Sequence, residues 1–272
     1  VVAWKATLPF TLAHMTEEAA IQEIAQIMRE SNRLLFITGA GISVDSGLPT
    51  YRGIGGLYEG KCTDDGISIE EALSGEMLEN NPEITWKHLW EIAHGCRGAK
   101  PNRCHEILAK IGQRVDETWI LTQNVDSLHR AAGSRHLIEI HGRADATHCM
   151  VCGKSADSES LLASRMAEDR SVPFCAVCGG VLRPDVVLFG EPLPPKAMHD
   201  LEELARTGVD LVMSLGTSSL FPYITAPMQL AHQLGIPTVE VNLQTTDASE
   251  FAQYRLEMDC KDALELIAQQ IT

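Results

Sequence analysis

The chain has 272 residues, 44% hydrophobic and 5% aromatic, with 22 Lys and Arg against 37 Asp and Glu, a formal net charge of -15. That length buries a sizeable core and fits one large domain with a smaller insertion better than two equal domains. The acidic balance argues against nucleic acid held through a general basic surface, since affinity for phosphate backbones comes largely from Lys and Arg displacing counterions, and it suits a basic peptide partner instead.

No apolar run reaches bilayer length, and the opening VVAWKATLPFTLAHM carries Lys5 and no small-residue cleavage pattern. The expectation is a soluble, cytoplasmic protein with no membrane partner. Residues 1–14 read as a leading extension, with Met15 as the natural start. Thr16-Glu17-Glu18 then supplies a cap and an acidic first turn ahead of Ile21, Ile24, Ile27 and Met28 at helical spacing.

The stretch LLFITGAGISVDSGLPTYRG, Leu34 to Gly53, follows. An apolar run hands the chain to Gly39-Ala40-Gly41, the form of a strand ending in a phosphate-cradling turn. The dinucleotide fingerprint asks for glycine at position 44, but that residue is Val44 and the next glycine is Gly47. By itself the glycine pair is equally a tight turn.

Short apolar runs of the same kind recur at 33–39, 118–124, 136–142, 185–191, 210–217 and 237–243, alternating with helical patterns at 195–207, 224–234 and 261–271. Strands this apolar are covered on both faces. The expected fold class is α/β: a doubly wound, mostly parallel Rossmann-like sheet with an inserted small zinc-ribbon and helical domain. The sheet domain is expected over 16–52, 102–142 and 184–272, the helical part of the small domain over 53–101, and the ribbon over 143–183. Ligands of open α/β sheets sit at the carboxyl ends of the strands. Those ends carry Gly39-Ala40-Gly41, Gln123-Asn124, His141-Gly142, Gly190-Glu191, Gly216-Thr217-Ser218 and Asn242.

Two of these ends hold groups suited to chemistry. In TQNVDSLH, Gln123, Asn124 and Asp126 are costly to bury unless something pairs with them, although Asn124 and Asp126 also suit the cap of a helix starting near Ser127. Both readings stand at this level. His141 ends its strand immediately before the cysteine segment, and histidine is the side chain best poised to move a proton near neutral pH.

Cys149-x-x-Cys152 and Cys175-x-x-Cys178 enclose 22 residues. Two such knuckles complete a tetrahedral Zn²⁺ site without an open position, which makes the metal structural. Two disulfides or a redox pair are the alternatives, disfavoured in a reducing compartment. Cys62, Cys96, Cys104 and Cys260 show no such spacing.

Taken together, GAGISVDSGLPTYRG, TQNVDSLH, HG followed by paired C-x-x-C, VVLFGE, GTSS and VN resemble the sirtuins, the NAD⁺-dependent protein lysine deacylases, in order and spacing over about residues 33–243. The resemblance implies NAD with its pyrophosphate near Gly39, Ala40 and Gly41, its adenosine near Gly216, Thr217, Ser218 and Asn242, and its nicotinamide near Ile42, Asn124 and Asp126. Ser43 to Arg52, including Tyr51 and Arg52, corresponds to a cofactor loop, and Gln123 belongs to the same site. It further implies that the acyl oxygen of a lysine side chain displaces nicotinamide, with His141 as general base and Asn124 and Asp126 as catalytic partners. The products implied are nicotinamide, free lysine and O-acyl-ADP-ribose. An acyl-lysine protein or peptide would pair with Val187, Phe189, Gly190 and Glu191 as an added strand. ADP-ribosyl transfer to protein and non-catalytic NAD sensing are the rival functions on such a fold.

Sirtuins that remove acidic acyl groups carry a Tyr-x-x-Arg pair after the cofactor loop. With Pro82, Glu83 and Trp86 on one side and Pro101, Asn102 and His105 on the other as anchors, those positions fall on Leu89 and Ile92. Both are apolar, so a neutral acyl group is expected.

Overall fold

The run after the first helix founds the architecture. The computed structural model describes residues 15–50, 62–157, 161 and 171–271. Helix α1 (Glu17–Glu30) starts where Thr16 Oγ1 accepts the Ala19 N–H at 3.3 Å, and it leads into strand β1 (Arg33–Thr38). Leu34 and Phe36 enter one core while Leu35 and Ile37 enter another, all at most 2% exposed. Alternate side chains of a strand point to opposite faces, so an unbroken apolar run needs cover on both.

The parallel sheet extends β1 on either side. It pairs with β2 (Glu117–Thr122) and with β7 (Leu211–Leu215); β3 (His136–Glu139) lies outside β2, and β8 (Thr238–Val241) then β9 (Tyr254–Leu256) lie beyond β7. The order is β3-β2-β1-β7-β8-β9. One face is covered by α1, α5 (Arg103–Arg114) and α9 (Cys260–Ile271), and the other by α7 (Pro195–Thr207) and α8 (Pro222–Gln233). Each large aliphatic side chain so buried contributes roughly 1.5–3 kcal/mol. A short helix α6 (Leu128–Ala131) follows the end of β2.

The run at 185–191 is a correction. It supplies no strand to the parallel sheet: β6 (Leu182–Val186) pairs antiparallel with β4 (Gly142–Cys149), beside β5 (Ser155–Ala156), in a separate three-stranded sheet. Beyond Val186 the chain leaves the ladder, and Leu188 and Phe189 pack against Leu73, Trp86, Leu89 and Trp90. Their apolar character serves this smaller core, and the sixth parallel strand is β9. Helices α2 (Ile69–Ala72), α3 (Gly75–Asn80) and α4 (Pro82–Cys96) complete the smaller unit. Indole N–H groups fasten α4 to it, Trp86 donating to Leu182 O at 2.9 Å and Trp90 to Ser171 O at 3.0 Å. Among the described residues no helix is long and apolar enough to cross a membrane.

The ends of β1 and β7 touch through backbone. A Cβ on Gly39 would meet Thr217 at 2.7 Å, one on Gly41 would meet Gly216 O at 2.7 Å, and Gly216 itself has φ +58°. Gly41→Ala is therefore expected to cost about 1–3 kcal/mol of unfolding free energy, because backbone cannot yield as a side chain does. Gly95→Ala on α4, where a Cβ meets nothing within 4 Å, is expected to be neutral or to stabilise by up to about 1 kcal/mol. Chemical denaturation of the two variants checks the contrast.

Candidate functional site

The turn after β1 is locked before it reaches any ligand. Gly39 N donates to Leu215 O at 3.2 Å and Gly41 N to Gly216 O at 2.9 Å. A tight 3-10 turn, Ala40–Ser46, follows and ends at Gly47 in the left-handed region. The absent glycine at 44 has its explanation here: Val44 is half exposed on this turn, and the residue in the left-handed region is Gly47. The Asn102 carboxamide donates to Ile42 O at 2.8 Å and pins the turn to the start of α5.

The groups after β2 form a chain of hydrogen bonds with this turn. Asn124, 6% exposed, donates through Nδ2 to Gly39 O at 3.0 Å and to Ser43 Oγ at 3.2 Å, and Ser43 Oγ donates to Asp126 Oδ2 at 2.7 Å. Asp126 Oδ1 also accepts the Leu128 N–H at 3.0 Å. Asp126 thus accepts the first amide of α6 and the Ser43 hydroxyl of the turn at the same time. Gln123 donates to Thr217 Oγ1, and Asn242 donates to Thr217 O at 2.9 Å, joining the ends of β2, β7 and β8.

His141 stands where the chain leaves the parallel sheet. Its Nδ1 lies 3.1 Å from Gln123 O. A carbonyl only accepts, so Nδ1 carries the ring hydrogen and Nε2 the lone pair. Burial pushes the His141 pKa below the ordinary histidine range, against the opposing pull of the Gln123 carbonyl. Burial thus favours the neutral ring.

These groups face one cavity of about 960 Å³, lined by Gly39, Ala40, Gly41, Ile42, Gln123, Asn124, His141, Gly216, Thr217, Ser218 and Asn242. Ser43 and Asp126 line a second cavity of about 260 Å³ that shares Ala40 and Asn124 with the first. Tyr51 and Arg52 lie outside the described residues. Val187, Phe189, Gly190 and Glu191 line the large cavity from the smaller unit, as do Leu89 and Ile92. Part of the 187–191 backbone is already engaged: Val187 N donates to His141 O at 2.9 Å and Phe189 N to Leu73 O at 3.0 Å. The Glu191 carboxylate is taken up by Arg183, with Nη2 at 2.8 Å, and by Leu188 N at 2.9 Å. Burial raises the Glu191 pKa, but the Arg183 guanidinium outweighs this and holds it below the ordinary carboxylate range.

Away from the cavity, the sulfurs of Cys149, Cys152, Cys175 and Cys178 all lie within 4.8 Å of one another. Zn–S bonds of about 2.3 Å in a tetrahedron give S···S edges of about 3.8 Å. Cys152 and Cys175 stand at 3.8 Å and Cys149 and Cys178 at 3.4 Å. The N–H groups of Cys152 and Val151 point at Cys149 Sγ and hold its pKa down to about 6. The donor set fits Zn²⁺ and leaves no coordination position for substrate.

Residues 39–221 match the Sir2 family. This chain belongs to that family, the sirtuins. It is 47% identical over 239 residues to the NAD-dependent protein deacylase 2 of Pseudomonas aeruginosa, spanning 87% of this chain and 91% of the relative. With the NAD-dependent protein deacylase of Thermococcus sibiricus it shares 35% identity over 237 residues, 85% of this chain and 89% of the relative. A solved structure of Sir2 with a p53 peptide and NAD⁺ has a TM-score of 0.78 at 28% identity, over 92% of this chain and 98% of that one.

Sequence reasoning missed two residues of this sirtuin's site. Tyr223 and Phe221 line the large cavity and touch the His141 ring, with Tyr223 Oη 2.7 Å from Nε2. Nothing in LFPY, next to GTSS, signals a contact with a histidine 82 positions away. For the metal, elemental analysis is expected to give one zinc per chain, and Cys178→Ala to lose it together with thermal stability, because a closed site contributes to folding.

Proposed function

We propose that this sirtuin is an NAD-dependent protein lysine deacylase that takes neutral acyl groups, with NAD⁺ in the large cavity and acyl-lysine entering beside α4. The observation that carries the reading is the convergence of His141, its Nε2 meeting the Tyr223 hydroxyl in the cavity wall, with the glycine turns of β1 and β7 and the Asn124–Ser43–Asp126 chain. Glycines at 39, 41 and 216 let the two turns meet, since a Cβ on any of them would strike the other turn, and the cavity the joined turns line is where a pyrophosphate would lie.

When bound, NAD⁺ supplies an electrophilic ribose carbon and a leaving nicotinamide, so that an acyl oxygen is captured without an external activator. In this reading Gly39, Ala40 and Gly41 hold the pyrophosphate, Thr217, Ser218 and Asn242 the adenosine side, and Ile42, Asn124 and Asp126 the nicotinamide side. The backbone of Val187 to Glu191 orients the peptide, while the Glu191 side chain serves to brace that segment through Arg183. His141 accepts a ribose hydroxyl proton at Nε2, which its Nδ1–H bond to Gln123 keeps available. In this reading the sheet domain of 16–52, 102–142 and 184–272 holds the cofactor, and its residues 187–191 face the peptide together with the helical part at 53–101, while 143–183 form the ribbon, with β6 running into the small sheet as far as Val186. A reaction that consumes NAD⁺ needs a compartment that contains it, and a cytoplasmic location meets that need.

The preference for neutral acyl groups rests on the cavity wall beside α4. Leu89 and Ile92 sit there with Trp86, Trp90, Ala93 and Val186, and among the described residues no arginine lines the cavity. Arg97 is exposed at the end of α4 and lines neither cavity. A carboxylate placed against this wall loses water without gaining a guanidinium.

His141→Ala is expected to lower deacylation of an acetyl-lysine peptide by roughly two to four orders of magnitude, the span of a lost general base, and to affect acyl-dependent nicotinamide exchange less. Product mass spectrometry and exchange of labelled nicotinamide measure the two. Full activity in the variant would refute the assignment. The kcat/KM for acetyl-lysine is expected to exceed that for succinyl-lysine on one peptide by about tenfold or more, the equivalent of one unmatched buried charge contact. A preference for succinyl would show that the wall beside α4 is not the acyl pocket.

A further inference from the structure

Tyr223 sets a phenol on the very nitrogen that the proposed reaction needs. Its Oη is 2.7 Å from His141 Nε2. The bond has one sense, because Nδ1 carries the ring hydrogen toward Gln123 O and Nε2 has only a lone pair to offer. The phenol donates. Burial pushes the Tyr223 pKa up, which keeps that hydrogen in place.

The phenol is also held rigidly. Tyr223 lies in the first turn of α8, directly after Pro222, and stacks on Phe221 with ring centroids 5.4 Å apart and planes 10° from parallel. Both rings meet the imidazole edge-on, Phe221 at 83° and Tyr223 at 88°. The other contacts of His141 are the Gln123 carbonyl and the Val187 N–H on its backbone oxygen. Among the described residues neither a carboxylate nor a cation contributes to its displaced pKa. Tyr223 is thus the titratable side chain that faces the ring. A proton arriving on Nε2 would force the hydroxyl to turn and accept, and its own hydrogen would lose its acceptor.

We propose that Tyr223 is a positioning residue for the base: its hydroxyl keeps His141 neutral and its Nε2 lone pair fixed toward the cavity until a ribose hydroxyl takes its place. The inference rests on the deacylase reading of the same site. It adds a part of the machinery on α8, outside the strand-end motifs.

Tyr223→Phe keeps the stack and removes only the hydroxyl. With an acetyl-lysine peptide and NAD⁺, the acid limb of the kcat/KM profile, which reports the free enzyme, is expected to move to higher pH by roughly half to one unit, the size of one net hydrogen bond. On that limb kcat/KM falls about three- to tenfold and converges with the wild type at higher pH, while nicotinamide exchange changes less. ¹⁵N NMR of histidine-labelled enzyme without ligands is expected to show the Nδ1–H form of His141 in the wild type. An unmoved acid limb, or exchange and deacylation falling together at every pH, overturns the proposal, since either makes Tyr223 a packing residue. If the variant does not fold, the wild-type spectrum decides, and an Nε2–H form overturns it. If the wild-type protein deacylates nothing, the functional reading fails by itself, and the spectrum still reports whether the phenol holds the ring.

Discussion

The site depends on one close approach of backbone to backbone. Gly41 N donates to Gly216 O, and no side chain fits between Gly39 or Gly41 and the β7 turn. This contact brings the ends of β1 and β7 into van der Waals range and leaves the space above them for something other than protein. Were either turn to carry a β-carbon, the two strand ends would separate. Gln123, Asn124 and Asn242, which reach across from β2 and β8, would then lose the acceptors on Gly39 and Thr217 that aim them.

Polar groups in such a place are costly unless each has a partner. Here most of the partners are one another. Asn124 holds Ser43, Ser43 holds Asp126, and Asp126 holds the first turn of α6. One network therefore meets the requirements of folding and of the cavity wall at once: Asp126 accepts both the first amide of α6 and the Ser43 hydroxyl, so holding that helix and shaping the turn are compatible tasks for one carboxylate.

Most strands were readable because burial on both faces demands continuous apolar runs, and Leu34–Ile37 or Leu211–Leu215 satisfy it without interruption. The same rule misled at 185–191, where Leu188 and Phe189 are apolar to fill the smaller core. β9 escaped notice for the opposite reason: Tyr254–Leu256 is an edge strand with Arg255 exposed in its middle, so half of its pattern is polar. In the site, residues at strand ends were legible because the topology of α/β sheets gathers them. Tyr223 and Phe221 were not, since their ring contacts with His141 join residues far apart in the chain and leave no local mark on sequence. Glu191 was legible as a participant but not as half of an ion pair with Arg183.

His141 and the four-cysteine cluster stand at the two ends of one ribbon. β4 begins at Gly142, beside His141, and finishes at Cys149; β6 runs back along it, Leu182 opposite Cys149 and Val186 opposite Gly142. At about 3.4 Å per residue the ribbon is some 27 Å long. Val187 N, just past its end, returns to His141 O. Gly142, at φ +76° and with no room for a Cβ beside Asp185 O, fixes the angle at which the ribbon departs. A zinc ion held by the four cysteines would thereby be the far mooring of His141. The register shift between Arg143 and Thr147 lies on the path between them, so a change of sequence there would alter the angle between the metal site and the histidine.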